Sequence, residues 1–96
     1  MYGFGKQVKR IAGQLGCELV SCDVRFLECC GSAIRADRAD ATAEKYAEHW
    51  VGAMAPVEGA GKQNAGRRAA NTWLRRALVA RGLPVPTVDD MRRVKV

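Results

Sequence analysis

A chain of 96 residues fits one domain, read here as 1–96, and leaves no room for two. It is 48% hydrophobic and 27% charged with a mean hydropathy of −0.20, a globular balance that argues against disorder, and no apolar run approaches the roughly 20 residues of a membrane-spanning helix. Sixteen Lys and Arg against ten Asp and Glu give a net charge of +6, and the ten glycines have no collagen-like period.

Phe4, Val8, Ile11 and Leu15 fall on one helical stripe, with Lys6, Lys9 and Arg10 elsewhere on the surface. The spacing predicts a helix over 4–15, stopped by Gly16, which can take the left-handed cap conformation. In the stretch that follows, Val20, Cys22, Val24 and Phe26 alternate with Ser21, Asp23 and Arg25. Strict alternation with β-branched and aromatic residues predicts a strand or hairpin near 18–28. A lone strand leaves its edges unpaired, so it implies strand addition to a partner's sheet or a homodimer.

Asp40 reads as the N-cap of the next helix, whose Ala43, Tyr46, Ala47, Trp50 and Met54 form a clean stripe over 41–54; a start near Ser32 is the alternative. Ala55-Pro56 ends it, and residues 57–61 read as a flexible connector. Ala70, Trp73, Leu74, Ala77 and Leu78 place a further helix over 63–81, with Gly82 just past its end. Leu83-Pro84-Val85-Pro86 must be extended. Thr87 with Asp90 resembles a capping box that opens a short last helix carrying Val88, Met91 and Val94. The predicted class is therefore mainly α: a small helical domain with an αα-hairpin around Tyr46, Trp50, Trp73, Leu74 and Leu78. The strand near 18–28 would make it α+β.

The charge is unevenly placed. Residues 1–58 hold seven basic and eight acidic residues, whereas 59–88 hold Lys62, Arg67, Arg68, Arg75, Arg76 and Arg81 and no acid. A localised basic segment points to an anionic partner. At about 100° per residue, Asn64, Arg67, Arg68, Asn71 and Arg75 share one arc of the 63–81 helix, and Arg76 extends it. Guanidinium groups match phosphate bidentately, and asparagines add hydrogen bonds to phosphate or base edges. The predicted contact set is Lys62, Asn64, Arg67, Arg68, Asn71, Arg75 and Arg76. The expected partner is nucleic acid, DNA or RNA, gripped by its backbone. The alternative is a protein-interaction module docked on an acidic protein surface, either a small subunit of a larger complex or an inhibitor of the kind phages and mobile elements encode.

Residues 59–81 invite two comparisons. Glycines, then basic residues, then an Ala-rich helix resemble the last helix of double-stranded-RNA-binding domains, but that family needs a sheet just upstream, where 41–54 reads as helix. GAGKQNAGRRAANTWLRRALV is similar to a stretch of some insertion-sequence transposases, without a serine near Gly59-Ala60. Neither resemblance carries a function over. Gly59-Ala60-Gly61-Lys62 is not a Walker loop either, since Gln63 stands where Ser or Thr should.

The remaining chemistry reads as structural. Cysteines 17, 22, 29 and 30 match no common zinc spacing. His49 is the only histidine, and Glu44 and Glu48 belong to an exposed helical face. The expectation is a non-enzymatic protein with no catalytic residues, no metal, no cofactor and no membrane association. The acid-free start has no secretory h-region, so a reducing, cytoplasmic setting is expected; its basic amphipathic spacing leaves an organelle matrix as the alternative.

Overall fold

Two glycines end two helices in the same way. Gly16 and Gly82 sit at φ 86° and 69°, in the left-handed region. Around Gly16, the Cys17 amide donates to the Ala12 carbonyl and the Gly16 amide to the Gly13 carbonyl. Around Gly82, Leu83 donates to Leu78 and Gly82 to Val79. Both are Schellman motifs, and in each the residue after the glycine turns an apolar side chain back onto the core.

The computed structural model describes residues 3–94. Within them lie α1 (Phe4–Gly13), α2 (Ser21–Gly31), α3 (Ala36–Met54), a 3-10 turn at Gly59–Gly61, α4 (Lys62–Ala80) and α5 (Val88–Arg92). No strand occurs among the described residues. The mainly α class and the α3–α4 hairpin are as the sequence predicts. Contacts between α3 and α4 run in opposite order along the two helices, from Trp50 with Gln63 to Tyr46 with Asn71.

The expected strand near 18–28 is a helix. The side chains that α2 buries are Asp23, Val24, Phe26, Leu27 and Cys30, a helical set, while Val20 and Cys22 face solvent. The alternation misleads because Asp23 counts as polar in a pattern, yet here it lies inside. Strand addition to a partner sheet therefore has no strand to rest on. Asp40 is not a cap either: α3 begins after Arg35, and Asp40 lies within the helix, accepting a hydrogen bond from Gln7 of α1. Leu15 lies beyond the end of α1 and is 54% exposed, because the Gly16 motif has already closed the helix. Thr87 and Asp90 do form the reciprocal capping box, at 2.9 and 3.2 Å. The amide hydrogen bond from Thr87 holds the Asp90 carboxyl below its usual range.

α1 has no acid of its own in its first turn. Glu28 of α2 supplies one, accepting from the Gly5 amide at 2.8 Å, Gly3 at 3.2 Å and Lys6 at 3.4 Å. A carboxylate placed against unpaired amides at a helix N-terminus satisfies them and complements the dipole. The close approach needs Gly5, where a Cβ would stand 2.6 Å from the Val24 carbonyl oxygen. One core results, with Trp50, Tyr46, Phe4, Leu27 and Leu74 as its largest fully buried side chains. Burying each such side chain contributes about 1.5–3 kcal/mol or more.

Candidate anion-binding face of α4

The predicted contact residues divide into two groups. Arg67 is turned inward: segment 59–88 has no acid of its own, but α2 brings one to this side chain. Its Nε donates to Asp23 Oδ2 at 2.8 Å, Nη1 to Asn64 Oδ1 at 2.6 Å and Nη2 to the Glu18 carbonyl at 3.0 Å, while its Cζ lies 5.2 Å from the centre of the Trp50 ring. Asp23 is 2% exposed and also accepts from Asn71 Nδ2 at 3.3 Å and the Val20 amide at 3.0 Å. Asn71 in turn accepts from Tyr46 Oη at 2.6 Å. Burial, reinforced by the Asp23 charge, pushes the Tyr46 phenol far up, so it stays a donor. Arg67, Asn71 and Asn64 thus tie α4 to α2, α3 and the 14–20 loop.

Gln63 completes this polar seam. Its Oε1 accepts from Trp50 Nε1 and the Glu18 amide, both at 3.0 Å, and its Nε2 donates to the Gly16 carbonyl at 3.0 Å. Sequence reasoning missed both Gln63 and Asp23. No local signal singled out Asp23, which stands among other polar residues (Glu18, Ser21, Arg25 and Glu28) and is told apart only by its burial against Arg67.

The second group faces out. Lys62, Arg68, Arg75 and Arg76 are exposed, and none has a carboxylate within ion-pair distance among the described residues. Arg68 and Arg75 are seven residues apart, two turns or about 10.5 Å along the same side of α4. Arg76 lies about 100° around from Arg75. The Arg75 guanidinium rests 4.7 Å from the centre of the Phe26 ring, which holds the group in place and leaves its edge N–H groups available.

The other chemistry-bearing residues lie apart. His49 stacks on Trp73 with ring centres 4.9 Å apart, and Glu44 and Glu48 are exposed on α3. Burial pushes the Cys17 thiol up to about 11 and the Cys30 thiol up to about 12, whereas Cys22 is exposed. A thiol reagent at neutral pH is expected to modify Cys22 first, Cys29 slowly, and Cys17 and Cys30 only in denaturant. Adduct counting by mass spectrometry checks this, and rapid modification of all four in the native protein would contradict the packing. No helix among the described residues is long and apolar enough to cross a membrane. In comparison with known proteins, the chain matches no family model, no curated protein and no solved structure.

Proposed function

We propose that this is a non-enzymatic binding protein that engages the phosphate backbone of nucleic acid with the outer face of α4. The observation that supports the reading is the row of exposed cations, Lys62, Arg68, Arg75 and Arg76, with no carboxylate among the described residues to neutralise them. Arg67, Asn64 and Asn71 drop out of the contact set, because the fold already uses them. Contacts of this kind are sequence-independent and release counterions, so affinity falls steeply with salt. A cytoplasmic setting accompanies the proposal, with four free thiols suiting a reducing compartment.

The test compares wild type with a Lys62→Gln, Arg68→Gln, Arg76→Gln variant, using fluorescence anisotropy with mixed-sequence duplex DNA and RNA at about 50 and 200 mM salt. Arg67 is left intact so that folding is not disturbed. If four phosphates are contacted, the slope of log K against log salt is about −3.6 for duplex DNA, and the variant loses about 2.7 of it. Affinity at low salt falls at least about tenfold. Absence of binding by the wild type, or equal binding by a variant with an unchanged melting curve, defeats the reading.

A further inference from the structure

α1 and α2 cover only part of the α3–α4 hairpin. Arg67, Asn71 and Arg75 meet α2 on one flank of α4, while Trp73 and Ala77 lie on the other. There, between the first half of α3 and the second half of α4, runs an open groove of about 1020 Å³. Its floor is apolar: Leu78 is buried at the bottom, and Ile34, Trp73, Ala77 and Leu83 are half-buried around it. Its rim carries Arg35, Arg38, Lys45 and Arg81 against a single acid, Asp37. Arg35 is occupied by Asp37 at 3.1 Å and Lys45 approaches Glu48 at 3.9 Å, but Arg38 and Arg81 have no carboxylate partner among the described residues.

We propose that this groove is a docking site for an acidic amphipathic helix of a partner protein. The proposal goes beyond the nucleic-acid reading and uses none of its residues. Three features select the occupant. The α3 side runs from Arg35 to Lys45, ten residues or about 15 Å, which matches three turns of helix. An apolar floor between charged edges suits side chains at i, i+3, i+4 and i+7, flanked by residues of opposite charge. A strand-addition mode is closed because the described residues offer no strand edge. Phosphate and base chemistry would leave the apolar floor unused, and one face of Trp73, the aromatic side chain that lines the groove, is already stacked by His49.

The probe is a synthetic 14-residue peptide with Leu at i, i+3, i+4 and i+7 repeats and Glu at the flanking positions. Controls are a scrambled peptide of equal composition, a peptide with Lys for Glu, and a single-stranded oligonucleotide. Binding is read by labelled-peptide anisotropy and by the emission of Trp73, since Trp50 is fully buried. The Glu peptide is expected to bind at least tenfold tighter than both control peptides. An Arg38→Glu, Arg81→Glu variant, altered only at exposed unpaired side chains, is expected to reverse the preference toward the Lys peptide. Ala77→Gln, which fills the floor without changing charge, is expected to weaken the Glu peptide at least tenfold. Equal binding of the scrambled peptide, an affinity untouched by the charge reversal, or loss of oligonucleotide rather than peptide binding on charge reversal each overturns the proposal.

Discussion

Replacing Asp23 with alanine is expected to destabilise the protein by about 3–5 kcal/mol and to lower its Tm by more than about 10 °C. The reason lies in what the carboxylate holds. At 2% exposure it receives the Arg67 guanidinium at 2.8 Å, the Asn71 amide at 3.3 Å and the backbone amide of Val20 at 3.0 Å. Val20 precedes the first residue of α2 and has no side-chain acceptor, so Asp23 is the only half of a capping box that α2 possesses. Alanine leaves that amide unpaired. It also strands a cation that is 25% exposed and lies over Trp50.

The cost of breaking such a pair comes largely from the charge left behind. Asp23→Asn keeps the volume and one acceptor oxygen, and is expected to cost less than alanine. Arg67→Met in the Asp23→Ala background is expected to recover part of the loss, giving a coupling above about 1 kcal/mol in a double-mutant cycle. Chemical denaturation of the four proteins measures these differences. A loss below about 1 kcal/mol for Asp23→Ala would mean that the pair does little for folding. Arg67 would then rejoin the candidate anion-binding residues. The same logic explains why a binding test that removes Arg67 would confuse a folding defect with a lost contact.

Much of this fold is legible in the sequence. α1, α3 and α4 announce themselves by apolar side chains at helical spacing; Gly16 and Gly82 mark the ends of α1 and α4, and the Thr87–Asp90 pair marks the start of α5, where the structure has them. α2 is the exception. Four alternating residues outvote a helical face whose key member is a carboxylate, and no local signal says that Asp23 will meet an arginine 44 residues later. The candidate site divides along the same line. That α4 is rich in cations is a sequence fact; which of them stay outside is set by where α2 packs. Arg67 and Asn71 lie on the same arc as Arg68 and Arg75, and only the seating of α2 against it separates structural from available groups. The groove between α3 and α4 is equally hidden, since it exists because α1 and α2 occupy the other flanks of the hairpin.

Gly66→Ala is expected to destabilise the protein by about 2 kcal/mol, although alanine is the better helix former by about 1 kcal/mol in an exposed helix interior. Gly66 is buried within α4, and a Cβ there would overlap Trp50 Cδ1 and stand 2.6 Å from Nε1 and 2.8 Å from Cγ. Those distances are too short for any contact, so either the indole or the helix must move. The indole has no slack. It is fully buried, its Nε1 donates to Gln63 at 3.0 Å and its ring lies under Arg67. Displacing it therefore loosens α3, α4 and the 14–20 loop together, because Gln63 also holds Gly16 and Glu18. Gly52→Ala supplies the contrast. Gly52 lies inside α3, and a Cβ added there would meet nothing within 4 Å beyond its chain neighbours and its own helix backbone, so the same substitution is expected to stabilise. The gain is about 0.5–1 kcal/mol. Opposite signs for one substitution in two helices isolate the Trp50 contact from helix propensity. Thermal melts give the signs, and the near-ultraviolet circular dichroism of the indole reports its displacement in Gly66→Ala. A Gly66→Ala protein as stable as the wild type would show that the indole can yield, and that the seam between α3 and α4 is not set by this contact.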